Sequence, residues 1–320
     1  MPSRGIHRFA VLTASATLVL IFIGGLVTST GSGLAVPDWP LSYGQLMPPM
    51  VGGVFYEHGH RMAAATVGLM TTVLAVWIFL REKRRFIGWL AATALAAVIA
   101  QGMLGGLTVL LLLPPAVSVL HACLAQAFFC LTVALAVVTG PEWADDAAPH
   151  APGNLRGIAA AATGAIYVQL ILGAVMRHTG AGLAIPDFPL ALGRIVPPLA
   201  DPKVAIHFAH RLWALAVAGI VAAAVARALK SPGAGARLRV PAILMAVLAA
   251  VQIALGALTV LTAKAVVPTT SHVATGAALL GVSLWLTLRS WRPGARAARG
   301  GAGAARTAPA AGRHAQEGAA

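Results

Sequence analysis

Charge is what this sequence has least of. Only 10% of its 320 residues are charged, and nine acidic side chains stand against 23 basic ones. A soluble domain carries about a quarter charged residues. Runs such as 9–30 and 86–122 contain no Asp, Glu, Lys or Arg. They exceed the roughly 20 apolar residues that a helix needs to cross the hydrocarbon core. A soluble globular fold is thereby excluded. Cysteine is nearly absent: Cys123 and Cys130 lie in one apolar span, on one helical face but two turns apart, too far for a disulfide. They read as packing residues. No CxxC, CxxCH or zinc-type spacing occurs, which excludes covalent c-type haem attachment. The net charge of +14 invites a nucleic-acid reading, but no basic helix or aromatic-interleaved patch exists to support one. The cations instead flank the apolar spans, where they orient membrane proteins.

What is present is hydrophobic, 58% of the chain. Eight spans are expected, near 9–29, 55–80, 86–110, 116–139, 157–177, 204–229, 240–262 and 267–289. With the N-terminus inside, 17 of the Lys and Arg residues fall on the inner side and six on the outer. The positive-inside rule then makes both termini cytoplasmic. The expected fold is an all-α integral membrane protein of two tandem four-helix bundles: an N-terminal bundle over 1–140, a cytoplasmic linker at 141–156, a C-terminal bundle over 157–292 and a disordered Ala/Gly/Arg tail at 293–320.

The division into halves comes from an internal repeat. The segment from Thr30, TGSGLAVPDWPL, recurs from Thr179 as TGAGLAIPDFPL, 149 residues on. Pro48-Pro49 returns as Pro197-Pro198, His60-Arg61 as His210-Arg211, Gln101 as Gln252 and His121 as His272. The offset drifts only from 149 to 151, as a duplication would leave it. Four spans per copy return the chain to its starting side. The copies therefore share one orientation, about a pseudo-two-fold axis along the membrane normal.

Each copy holds two histidines near the outer ends of its second and fourth spans: His60 with His121, and His210 with His272. Ionisable groups inside spans are rare and usually functional. Two neutral imidazoles facing each other across a bundle suit axial ligation of haem iron. Helix-cap histidines bonding across the bundle are the plain alternative, which the repetition weakens. Zinc lacks a recurring third ligand. Arg61 and Arg211 are candidates for the haem propionates. The copies differ at one informative position: Glu57 precedes His60 by one helical turn, whereas His207 stands at the matching place before His210. A carboxylate there suits acid/base work or stabilisation of positive charge, against the alternative of a first-turn Glu favoured by the helix dipole. Asp38 and Asp187, in Pro-Asp-aromatic-Pro turns, read as turn caps of a lid over each bundle. Trp39 and Phe188 read as covers or interface anchors, and Gln101 and Gln252 as interhelical hydrogen bonders. His58 and His207 are ascribed to the interface. His7, His150 and His314 lie in the flanks, and His178 has Ser29 as its counterpart.

Together Glu57-His-Gly-His60-Arg61, His121, His210-Arg211, His272 and the duplicated loops resemble the haem A synthase family, over about residues 6–290. The resemblance implies oxidation of the C8 methyl of haem O to a formyl group, giving haem A for cytochrome oxidase. Two hydroxylations lead to a gem-diol that dehydrates to the aldehyde. It implies a substrate haem between His60 and His121, with Arg61 beside it and Glu57 catalytic. It further implies a haem b cofactor whose iron is held by His210 and His272. A cell-membrane location, haem O synthase as a partner, and an electron acceptor that the sequence does not name, a quinone being one candidate, go with it; a homo-oligomer is left open. Some members carry two cysteines in the first outer loop, where this chain has Ala35 and Ser42. The rival readings are a di-haem b-type electron-transfer cytochrome and a haem carrier.

Overall fold

The computed structural model of the chain describes residues 4–144, 153–231 and 235–292. The centre of the expected linker, the tail from 293, His150 and His314 fall outside these residues. The regular elements are helices: α1 Arg4–Ser29, α2 Gly53–Arg81, α3 Arg85–Leu110, α4 Pro115–Val138, the single turn α5 Pro141–Ala144, α6 Gly153–His178, α7 Pro202–Lys230, α8 Gly235–Leu261 and α9 Val266–Trp291. All but α5 are long and apolar enough to cross a membrane, so the chain is a multi-pass membrane protein. At 24 to 29 residues they span about 36–44 Å, beyond the roughly 30 Å hydrocarbon core.

All eight expected spans are helices, with ends that differ by a few residues. The largest differences are at α1, α6 and α8, which begin four or five residues early, at Arg4, Gly153 and Gly235. Hydropathy marks only the apolar part of a helix. The basic first turns holding Arg8, Arg156 and Arg237 continue it, because long cationic side chains favour helix and reach out to water. Proline opens α4 and α7, where its missing N–H costs nothing, and Asp201 caps α7 by accepting from Lys203 N at 2.8 Å.

In the first half α1 packs on α2, α2 on α3, α3 on α4 and α4 back on α1. In the second, α6, α7, α8 and α9 close the same ring. Each ring has its own buried cluster, one around Leu74, Ile78 and Leu135, the other around Leu155, Met245 and Leu280. The halves meet through α1–α9, α4–α9 and α4–α6. Exchanging the halves turns α1–α9 into α6–α4 and leaves α4–α9 unchanged. The seam is close: a Cβ on Gly281 of α9 would stand 2.8 Å from the Phe129 ring of α4, and one on Gly25 of α1 would stand 3.2 Å from Thr270 of α9. Small residues permit this approach where lipid supplies no hydrophobic drive between helices.

Two long connections, 30–52 and 179–201, lie at the histidine end. Each folds back through a tight turn whose central residues, Tyr43-Gly44 and Leu192-Gly193, have positive φ. Asp38 accepts from Tyr43 N at 2.7 Å and Gly44 N at 2.8 Å; Asp187 does the same for Leu192 and Gly193, both at 2.8 Å. These backbone donors hold both carboxyls below the usual Asp range. The peptide bonds Trp39–Pro40 and Phe188–Pro189 are cis. Trp39 lies flat against Gly106 of α3, where a Cβ would come within 2.6 Å of its ring. In the second half the matching pair is Phe188 and Ala257. A smaller ring stands where the glycine has gained a methyl group.

Candidate functional site

Each of the four repeated histidines rests on a glycine of a neighbouring helix. His60 of α2 faces Gly24 of α1, and His121 of α4 faces Gly105 of α3. His210 of α7 faces Gly173 of α6, and His272 of α9 faces Gly256 of α8. A Cβ at these glycines would stand 3.0, 3.2, 3.2 and 3.0 Å from the imidazole Cε1 atoms. Any side chain there would displace the ring. Within each half the two histidines come from the diagonal helices of the ring, α2 with α4 and α7 with α9.

Glutamines hold three of the four. Gln101 Nε2 donates to His121 O at 3.0 Å, and Gln169 Nε2 donates to His210 O at 3.0 Å while facing its ring nitrogens at 3.1 and 3.2 Å. Gln252 Nε2 stands 3.4 Å from His272 Nε2, and His272 Nδ1 is 3.1 Å from Gln252 O. An Nδ1–H donated to that carbonyl leaves the Nε2 lone pair as the ligand atom, as metal-binding histidines require. His60 has no such glutamine: Leu20 occupies the place matching Gln169, and His60 Nδ1 is buried without a partner.

The sequence signals for the glycines were available, since Gly24 returns as Gly173 and Gly105 as Gly256. A helical glycine carries no chemistry of its own, so only the packing reveals its role. Gln169 has no counterpart in the first half, and a search for repeats passes over it.

The second finding is a clasp between helix and loop. Glu57, 4% exposed, accepts from Val36 N at 2.8 Å and from Arg61 Nη2 at 2.7 Å. Arg61 also donates to the carbonyls of Val36, Asp38 and Leu41, at 3.1, 2.7 and 2.8 Å, and to Ser42 Oγ at 3.4 Å. All four Nη hydrogens of Arg61 are thereby committed to the loop and Glu57, leaving Nε–H. His58, ascribed to the interface, is 6% exposed and 2.8 Å from Ser42 Oγ through Nδ1.

In the second half His207 takes the place of Glu57. Its Nδ1 lies 3.3 Å from Ile185 N and its Nε2 lies 3.1 Å from Arg211 Nε. Arg211 also donates to Leu190 O at 3.0 Å and Ile185 O at 2.9 Å. A neutral imidazole has one acceptor nitrogen, yet both of its nitrogens face donors here. Only one contact is a hydrogen bond at a time, and this clasp is longer and looser than the one at Glu57. Arg211 keeps two N–H hydrogens uncommitted. It has no carboxylate partner among the described residues, whereas Arg61 is ion-paired.

Among the described residues no three His, Cys, Asp or Glu side chains come together as a metal cage. A metal between two histidines must bring its other ligands with it, as iron in a porphyrin does. The residues fit that group: paired imidazoles cradled on glycine, one with its tautomer set for ligation, and buried polar atoms without partners at His60, His121 and three glutamines. His7 stands apart, 3.0 Å from Ala136 O at the opposite end.

Residues 7–284 match the family described as cytochrome oxidase assembly protein. The chain is 32% identical to the haem A synthase of Symbiobacterium thermophilum over 227 residues, 66% of this chain and 71% of that protein. It is 30% identical to that of Halalkalibacterium halodurans over 218 residues, 65% of this chain and 71% of the other. With the haem A synthase of a Caulobacter species the identity is 28%, extending over 91% of this chain and 97% of the relative. Duplicated histidine pairs, glycine cradles and a match of this length agree: the chain belongs to the haem A synthase family of cytochrome oxidase assembly proteins.

Proposed function

We propose that this chain is a haem A synthase that oxidises the C8 methyl of haem O to a formyl group. The observation that carries the reading is that the histidine pair is present twice and the carboxylate once. In this reading the first four-helix unit, within 1–140, takes the substrate between His60 and His121. The second, within 157–292, holds haem b through His210 and His272. That haem supplies one-electron redox chemistry when bound.

The chain's own residues do the rest. His60 and His121 orient the porphyrin on the glycine-floored face. The 30–52 loop, clasped to α2 by Glu57 and Arg61, covers it and excludes water other than the reactant. Each hydroxylation takes one water and releases two electrons and two protons. Glu57 is the buried carboxylate at this end, placed to stabilise positive charge beside the methyl carbon and to take a proton at Oε1 or Oε2. Doing so loosens its bond to Val36 N or Arg61, which couples proton uptake to the loop. Arg211, with two free N–H groups and no carboxylate, is suited to a propionate; Arg61 offers Nε–H for the same purpose. The cationic flanks set both termini on the cytoplasmic side of the cell membrane, with both loops outside. Haem O is supplied by haem O synthase, electrons leave to a quinone, and self-association is compatible with the exposed apolar helices.

The rival reading, a di-haem b-type electron-transfer cytochrome, draws on the clasp: His207 takes the structural place of Glu57, which gives Glu57 a purely structural role in that reading. Expression with a haem O source, followed by pigment extraction and chromatography, separates the two. Haem A or its hydroxylated precursor is expected, and Glu57→Gln should abolish both. A preparation yielding only b-type haem would overturn the enzyme reading. Full conversion by Glu57→Gln would remove Glu57 from the chemistry.

A further inference from the structure

The two histidine pairs sit in matching packing but in unlike electrostatic surroundings. At the loop end of the second half stand five cations, Arg177, Arg194, Lys203, Arg211 and Lys264, with two carboxylates, Asp187 and Asp201. At the matching end of the first half there is one cation, Arg61, also with two carboxylates, Asp38 and Glu57. The counterparts of Arg177, Arg194, Lys203 and Lys264 are Thr28, Gln45, Gly53 and Leu113.

Two of these cations, Arg177 and Arg211, have only neutral hydrogen-bond partners. Arg177, at the end of α6, lies in the seam between the halves. Its Nη2 donates to Gly25 O at 3.1 Å and to Ser29 Oγ at 2.9 Å, and Ser29 Oγ also accepts from Thr270 at 3.0 Å. These partners are neutral, and no carboxylate pairs with Arg177 among the described residues. Thr270 is two residues before His272 on α9. Arg211 follows His210 directly and meets neutral His207 where Arg61 meets Glu57.

We propose that Arg177 and Arg211 tune the second site electrostatically, holding its bis-histidine group at a higher reduction potential than the first. The proposal rests on the reading that each histidine pair holds an iron porphyrin. Ferric iron with a porphyrin and two neutral imidazoles carries one positive charge at its core, and the ferrous form carries none. Nearby cations that lack an ion-paired protein carboxylate therefore favour the reduced form, more strongly where water is excluded. The step served is the transfer of one electron. An iron porphyrin held by His210 and His272 would accept one electron, given up by the group held by His60 and His121, with no bond or proton exchanged. The asymmetry sets the direction of flow from the Glu57 half to the His207 half. Both arginines act as positioning residues for charge, not as ligands.

The test is redox titration of the purified full-length protein with its bound haem, followed by visible absorption. Arg177→Met keeps the stem and removes the charge. His207→Glu adds a carboxylate against Arg211, in a geometry that the first half already accommodates through Glu57. Each is expected to shift the ferrous–ferric equilibrium about tenfold toward ferric, some 59 mV downward for a one-electron couple. Arg177→Lys should stay near the parent. Unchanged midpoints in both variants, with an unaltered low-spin spectrum, overturn the proposal. If haem content and the low-spin spectrum are instead both unchanged after His210→Ala with His272→Ala, the site reading itself fails and the proposal falls with it.

Discussion

At the residue scale, the four histidines depend on four side chains that are not there. Gly173→Leu would drive atoms into the place of the His210 ring, which already has Cε1 only 3.2 Å from an added Cβ. Haem retained on purification should fall at least tenfold while the helical circular dichroism is unchanged; normal haem content would show that the ring has room to yield. Glu57 is the buried carboxylate at the site, with both oxygens engaged. Removing one partner of a buried ion pair costs about 3–5 kcal/mol. Glu57→Ala should therefore lower thermal stability clearly, and Glu57→Gln less, because an amide oxygen still accepts one of the two donors. An activity loss in the Gln variant without a matching loss of stability would separate chemistry from the clasp. The turn aspartates give a pH signature. Their folded values lie below the ordinary 3.8 because backbone N–H groups stabilise the charged form. Their contribution is present above that value and is lost as pH falls through the lower folded value. The loops should thus stay ordered at pH 5 and loosen only below about 4. Trp39 fluorescence followed from pH 7 to 3 reads this, and Asp38→Asn should remove the acid transition at that loop.

At the element scale, the first outer loop and α3 are matched by shape. Trp39 needs the bare backbone of Gly106, whereas the residues at the matching places of the second repeat are Phe188 and Ala257. Gly106→Ala should destabilise the first half by about 1–3 kcal/mol through overpacking. Trp39→Phe in the same chain should recover most of that loss. A double-mutant cycle on thermal unfolding measures the coupling, and additive effects would mean that the ring simply swings aside. The same loop shows how hydrogen bonds hold a segment that some family members supply with two cysteines. Here Ser42 meets His58, and the Tyr43 hydroxyl donates to Ala35 O at 2.5 Å. The helices themselves were legible from hydropathy, because a run of apolar residues in lipid has no other way to satisfy its backbone. Their ends were not, because cationic first turns are polar in composition and helical in conformation.

At the scale of the whole molecule, two rings of four helices share a seam made of small residues and neutral hydroxyls, into which one half inserts Arg177. The proposed orientation places both long loops outside. A cysteine introduced at Ala200 should react with a membrane-impermeant maleimide in intact cells, and one at Lys83 only after lysis. The native Cys123 and Cys130 both lie within α4, outside the polar loops probed. The reverse labelling pattern would invert the topology, along with the placement of the histidine sites.

The sequence by itself determined the eight spans, the duplication and the four paired histidines. Each depends on composition or on spacing along the chain, and a repeat copies both. It also exposed the single position where Glu57 becomes His207. Only the tertiary structure decided what those residues touch. It put glycine beneath each imidazole, Gln169 on His210, Arg177 against α1, and Glu57 and His207 in the same clasp on the outer loop. Contacts between helices depend on which faces meet, and a pattern of apolar residues that is nearly uniform around each helix in lipid does not specify faces.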